Sequence, residues 1–248
     1  MTARLSNKVS IITGAAQGIG LATAIKFAQE GAIVIVCDVK QEAVDEAVAQ
    51  CRAVGATAEG FVMDVTQRPV VDAVVAQVKV KFGRIDVLVN NAGIAPVPPN
   101  LLGVTEDLFD KTVAVNLKGP LRLTALAAEH MAPGSTVINI SSKASTHPSP
   151  FTVVYAAAKA GLNALTKAAA QEYAPRGIRV NAIVCGMFHT DSFHASVPTP
   201  ELQAGAASRV GLGRIGDADE IVGTALYLAT DASSYLTGQC ITLDGGGA

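Results

Sequence analysis

Short runs of β-branched apolar residues alternate along the chain with longer stretches of helical period, and this alternation constrains the fold more than any other feature. Runs suited to strands fall at 9–13, 33–37, 58–62, 87–90, 136–140, 179–184 and 240–243. Most are apolar throughout, as strands covered on both faces must be, whereas a sheet with one wet face would alternate apolar with polar. Helical stretches at 19–29, 41–54, 69–82, 106–130, 155–174 and 218–229 separate them. Strand, helix and strand in repetition predict an α/β fold with one parallel seven-stranded sheet and helices on both faces. An eight-stranded β/α barrel has similar length and the same alternation, so motifs must separate the two.

At 248 residues, half of them hydrophobic, the chain is expected to form a single domain over 1–248, with no internal repeat or linker. Two segments break the rhythm: 94–103, with three prolines, and a mixed stretch at about 187–214. Irregular insertions at strand ends usually carry function, and the second is expected to be a substrate loop.

Charge excludes some partners. A net charge of −2, from 19 basic and 21 acidic residues without a run of either sign, leaves no footprint for nucleic acid or an anionic membrane. The first apolar run reaches Gly14 before it could form a signal or spanning segment, so a soluble, cytoplasmic protein is expected. Cys37, Cys51, Cys185 and Cys240 lack Cys-x-x-Cys spacing and read as buried reduced thiols. The four histidines form no helical ligand pair, and no metal is expected.

Thr13-Gly14-Ala15-Ala16-Gln17-Gly18-Ile19-Gly20 closes the first strand and opens the first helix. Free N–H groups and the positive end of the helix dipole there can hold a pyrophosphate, and glycines allow close approach, although glycine also serves simple turns. Asp38 ends the second strand, about twenty residues after the turn, where a carboxylate accepts hydrogen bonds from the adenosine ribose. Turn and acid together favour a doubly wound, Rossmann-like sheet over the barrel. The Asp38 charge would repel a 2′-phosphate, Gln17 supplies no cation to offset it, and only Lys40 is near, so NAD is expected over NADP. The alternative is that Asp38 simply caps the next helix.

Tyr155 and Lys159 stand four apart in an alanine-rich helical stretch and project from one face. A neighbouring ammonium favours phenolate and would draw the phenol toward the range of a general base. Tyr and Lys at this spacing also occur on many solvated helices.

With these stand Asp64, Asn90-Asn91-Ala92-Gly93, Asn116, Ser141-Ser142, Arg179-Val180-Asn181-Ala182 and Asp244-Gly245-Gly246. In that order, and from end to end, the chain resembles the classical short-chain dehydrogenase/reductase family. The resemblance implies a catalytic set of Asn116, Ser142, Tyr155 and Lys159, with Ser142 chosen over Ser141 because it precedes Tyr155 by thirteen residues. It implies that Tyr155 exchanges the hydroxyl proton, that Ser142 binds the substrate oxygen, that Lys159 also holds the nicotinamide ribose, and that Asn116 supports a water linking Lys159 to solvent. Asn116 could instead satisfy helix backbone. By position, the resemblance adds cofactor contacts at Ile19, Asp64, Val65, Asn91, Ala92, Gly93, Phe188 and Thr190, to join Gly14, Gln17, Gly18, Gly20 and Asp38. The Asn91 to Gly93 segment also fits a simple strand-ending turn. One departure is Cys185-Gly186, where the family usually has Pro-Gly.

The reaction implied is hydride transfer between a small secondary alcohol and its ketone. A 3-oxoacyl-thioester reductase, acting on carrier protein or CoA, is the alternative within the same chemistry. It would need a basic surface for an acidic carrier, where this chain has Glu129 and Glu172. A dinucleotide-sensing protein without catalysis would have no use for the four residues together. Lys143, His147, His189 and His194 are candidate polar contacts for a substrate carboxylate or hydroxyl. The alanine-rich helical stretches, apolar around much of their circumference, predict a homotetramer; high helix propensity alone would also explain the alanines.

Overall fold

A computed structural model describes residues 3–247. Seven strands form one parallel sheet: β1 (Val9–Thr13), β2 (Ile33–Asp38), β3 (Ala58–Val62), β4 (Ile85–Asn90), β5 (Met131–Ser142), β6 (Arg179–Cys185) and, last in the chain, β9 (Cys240–Leu243). Their spatial order is β3-β2-β1-β4-β5-β6-β9. A separate ladder of two residues each joins β7 (Phe188–His189) to β8 (Gly216–Asp217). The chain winds outward from β1 to β3, then returns to β4 and winds the other way. The order therefore reverses between β1 and β4, and a crevice opens at their carboxyl ends.

Helices α1 (Gly18–Gln29), α2 (Gln41–Ala53) and α9 (Asp219–Ala229) cover one face, with Phe27, Val44 and Leu226 in its core. Helices α3 (Arg68–Phe82), α5 (Gly119–Ala128) and α6 (Val153–Tyr173) cover the other through Val71, Leu123 and Ala170. Strand β1 is buried on both faces: the period of two sends Ile12 to the first core and Val9 and Ile11 to the second, with Ser10 and Thr13 buried among them.

The stretch predicted as one helix at 106–130 is not continuous. It comprises α4 (Glu106–Val113), a π-helical turn at Ala114–Lys118, and α5. Pro120 has no N–H to give the carbonyl of Asn116, so the ladder widens, and Gly119 donates five residues back to Ala114. Strand β5 starts at Met131 rather than 136, and its pairing with β4 shifts register between Ile85 and Val87. Part of the irregular 187–214 segment is helical, as α7 (Asp191–Ser196) and α8 (Pro200–Ala207), each capped by a threonine hydroxyl. Among the described residues, Cys37, Cys51 and Cys185 are buried and unbridged and Cys240 is half-buried. No helix is long and apolar enough to cross a membrane, and no cluster of His, Cys, Asp or Glu could hold a metal ion, among the residues described.

Candidate active site

A cleft of about 1120 Å³ runs along the carboxyl ends of β1, β2, β4, β5 and β6. At its centre the glycine turn passes from β1 into α1. Gly14 and Gly18 have φ of 60° and 53°, and no side chain caps the first turn of α1, which leaves its N–H groups for an anion. Gly20 explains the tightness: a Cβ there would lie 2.2 Å from the Gly14 carbonyl oxygen. These features fit a dinucleotide pyrophosphate. Asp38 reaches back to the turn, its Oδ2 accepting from Ala16 N at 3.1 Å and Oδ1 from Val39 N at 2.7 Å. Helix α2 begins after Lys40, so Asp38 does not cap it.

Asn91, just past β4, is locked to the same turn. Its Nδ2 donates to the carbonyls of Thr13 and Gly14, both at 2.9 Å, and the Thr13 hydroxyl accepts from Asn91 N and Ala92 N, both at 3.0 Å. The segment is thus more than a strand end. Gly93 then sits in front of Asn116 and Lys159: a Cβ there would lie 2.9 Å from Asn116 Oδ1 and 3.6 Å from Lys159 Nζ. Asp64 orders the loop after β3, its Oδ1 accepting from Thr66 N and Thr66 Oγ1 at 2.8 Å each.

The four candidate catalytic residues come from three elements. Ser142 ends β5, and its Oγ accepts from Ala144 N at 3.2 Å, so its own hydrogen is free to point into the cleft. Tyr155, in the first turn of α6, stands beside Ser142, whose side chain favours the ionised phenol. Lys159 follows one turn later; its Nζ is 5.7 Å from the Tyr155 ring centre and donates to Ile140 O at 2.8 Å. Asn116 is fully buried in the π turn, where Nδ2 donates to Ile94 O at 2.8 Å and Thr112 O at 2.9 Å, and Oδ1 accepts from Ile94 N at 3.3 Å.

Electrostatics correct one expectation. Burial raises the Tyr155 phenol above its ordinary range, the Ser142 side chain opposes this, and Lys159 is not among the groups that lower it. The same burial lowers Lys159 to about 8. Cys185 faces both, its thiol pushed up to about 12 by burial despite the nearby ammonium.

All the sequence-predicted site residues line the cleft except Gly20 and Asn116, which are buried behind its wall. Phe188 and Thr190 stand where the irregular segment begins, and Thr190 comes within 3.4 Å of where a Gly18 Cβ would be. The four candidate substrate contacts lie outside the lining. Lys143 is paired with Asp244 at 2.7 Å, His147 turns to the Thr146 hydroxyl, and His189 stacks on His194 with ring centres 5.4 Å apart. Sequence reasoning missed the Ile140 carbonyl, since backbone acceptors leave no mark in a sequence. Thr13 entered only as a motif member; its hydroxyl next to the glycine turn was the available signal.

A family model described as enoyl-(acyl carrier protein) reductase matches residues 14–247. The chain is 42% identical over 245 residues to the 3-oxoacyl-(acyl-carrier-protein) reductase FabG of Thermotoga maritima, covering 98% of each. It is 36% identical to galactitol 2-dehydrogenase of Agrobacterium fabrum, again over 98% of each. The crystal structure of a putative short-chain alcohol dehydrogenase from Sinorhizobium meliloti superposes with a TM-score of 0.94 at 34% identity, covering 99% of this chain and 98% of that one.

Proposed function

Because the chain belongs to the classical short-chain dehydrogenase/reductase family, a family of oxidoreductases that bind a nicotinamide dinucleotide, we propose that it is an NAD-dependent dehydrogenase of a small secondary alcohol and its ketone. In this reading, residues 1–248 are one dinucleotide-binding and catalytic domain, cytoplasmic and homotetrameric, with 187–214 as the substrate loop. The observation that carries the proposal is the convergence of Ser142, Tyr155 and Lys159 on one cleft with the glycine turn and Asp38.

When bound, the nicotinamide would supply the hydride acceptor for oxidation and the hydride donor for reduction. The chain's residues manage the proton. Tyr155 takes the hydroxyl proton in oxidation and gives it back in reduction. Ser142, its rotamer fixed by Ala144 N, donates to the same oxygen as charge develops there. Lys159 would supply a cation to the ribose hydroxyls, while the Ser142 side chain is the group that favours the phenolate that oxidation requires. The side chain of Asn116 is already used by Ile94 and Thr112; its backbone carbonyl, which Pro120 cannot satisfy, would hold the water leading from Lys159 to solvent. Asp38 would accept from the adenosine ribose, giving up its bond to Ala16.

Similarity to FabG supports the second reading, a 3-oxoacyl-thioester reductase. Against it, the exposed charges of the cleft are balanced, Asp110 and Asp191 against Lys40 and Lys111, and Glu129 and Glu172 outside it are exposed as well. An acidic carrier would meet no basic cluster. The test is a screen of secondary alcohols, ketones and 3-oxoacyl thioesters with NAD(H) and NADP(H), read by nicotinamide absorbance. Faster turnover of thioesters than of every simple ketone would reverse the order of the two readings.

A further inference from the structure

Lys143 and Asp244 form an ion pair at 2.7 Å, with only 18% and 14% of their side chains exposed. Its place in the sheet gives it meaning. Ser142, Cys185 and Leu243 stand in one register row across β5, β6 and β9. The next row is Lys143, Gly186 and Asp244, so the pair spans the carboxyl end of β6 one residue beyond the candidate catalytic serine. Gly186 is the residue that lets it cross: a Cβ there would lie 2.6 Å from Asp244 Cα and 2.7 Å from its Cβ, an overlap no side chain could accommodate. Asp244 is fixed from its other side as well, since Oδ1 accepts from Gly246 N at 3.0 Å. The lysine holds the Asp244 carboxyl below the usual carboxylate range, so Asp244 stands as a carboxylate at neutral pH.

Cys185, Gly186 and Met187 line the cleft with Ser142 and Tyr155, whereas Lys143 and Asp244, held to each other, do not. The cations that do line the cleft are Lys159, Lys40 and Lys111. Lys159 is buried on Ile140 O. Lys40 stands beside Asp38 at the adenosine end. Lys111 is exposed on α4 beside Asp110, an adjacent carboxylate of opposite charge. Beside Ser142 and Tyr155, the described lining is apolar or hydroxylic at Ile94, Met187, Phe193 and Ser192, and the exposed Asp191 adjoins Ser192. A substrate carboxylate would be desolvated there near Asp191, and Lys159, the cation one turn from Tyr155, is already engaged by Ile140 O.

We propose that Asp244 is a specificity-determining residue: by holding Lys143 across Gly186 it withholds from the cleft the cation attached next to Ser142, and so restricts the enzyme to uncharged alcohols and ketones. This rests on the alcohol–ketone reading above. Released, the Lys143 stem is long enough to turn around the end of β5 toward the substrate.

The test compares matched keto esters and keto acids, methyl pyruvate against pyruvate and methyl 3-oxobutanoate against 3-oxobutanoate, with NADH and the full chain. Wild type is expected to favour the ester in kcat/KM by at least about tenfold. Asp244→Asn, which keeps an acceptor for Gly246 N but frees Lys143, should reduce that preference about tenfold through a lower KM for the acid; adding Lys143→Gln should restore it. Asp244→Ser serves the same purpose should the amide disturb the turn. A wild type that favours the acid, or an ester-to-acid ratio unmoved in folded Asp244→Asn and Asp244→Ser, overturns the proposal alone. Failure to turn over any ester or acid while NADH still binds overturns the alcohol–ketone reading and the proposal with it.

Discussion

Lys159 donates from a buried ammonium to the carbonyl oxygen of Ile140, two residues before Ser142, so the cation on α6 is tied to the strand that delivers the serine. The arrangement costs stability. Burial lowers Lys159 from 10.5 to about 8, which means the folded chain holds this proton less well than the unfolded chain. Below about 8 both states are charged and the folded state bears the desolvation cost; from about 8 to 10.5 the unfolded state binds more protons, and stability from this group rises with pH.

Lys159→Met should therefore raise Tm at pH 7 while abolishing turnover. The lost bond to Ile140 O offsets part of the gain, leaving roughly 1–2 kcal/mol. Thermal melts of both proteins from pH 7 to pH 10 check it: the gap should narrow as pH rises. A gap that widens, or a variant less stable at pH 7, would contradict the buried-cation account.

Tyr155→Phe removes the proton carrier and leaves the ring. We expect kcat to fall by about 10²–10⁴ in both directions, with Kd for NADH within about twofold because the phenol stands beside Ser142 rather than the glycine turn. Stopped-flow turnover and NADH fluorescence titration separate the two. Wild-type kcat would remove Tyr155 from the chemistry.

Asp38→Asn keeps one oxygen for Ala16 N or Val39 N and removes the charge. Wild type should prefer NAD to NADP in kcat/KM, and the variant should lose about tenfold or more of that preference as repulsion of the 2′-phosphate disappears. Steady-state kinetics with both cofactors decide, and a wild type that prefers NADP would refute the assignment of Asp38.

The inner strands were legible because parallel strands buried on both faces are mainly apolar, the edge strands β3 and β9 only as short runs in the same rhythm, and the glycine turn because its backbone tolerates little else. What stayed hidden is non-local or depends on geometry. The helical period over 106–130 continues through the π turn, since Asn116 and Pro120 break the ladder without disturbing the apolar spacing. Lys143 and Asp244 are 101 residues apart, and only the register of β5, β6 and β9 brings them together. Proximity in sequence suggested that Lys159 would lower the Tyr155 phenol, but burial, which a sequence does not display, acts on both groups and decides each direction.

The last prediction concerns assembly. On α6, Ala157, Ala160, Ala164 and Ala168 form an exposed stripe of small residues at helical spacing, and Leu121 and Ala125 on neighbouring α5 are also exposed, Leu121 at 50%. Such a flat, small-residue surface lets a second helix approach closely, and a two-fold axis would pair each stripe with its twin. A second face is offered by β9: it is the last strand of its sheet, its outer edge is unpaired among the described residues, and Tyr235 nearby is fully exposed. Edges of this kind are normally covered. Two distinct two-fold contacts generate a D₂ tetramer, whose mass by light scattering should be four times the 25.3 kDa of one chain. Ala164→Glu places a charge in the middle of the α6 contact, where desolvation opposes pairing, while in an isolated chain it would sit on the surface and change stability by no more than about 0.5 kcal/mol. The variant should therefore scatter as a dimer held through β9, with its fold intact by circular dichroism. A wild-type mass of a single chain would refute the assembly, and an undiminished tetramer in Ala164→Glu would remove α6 from its interface.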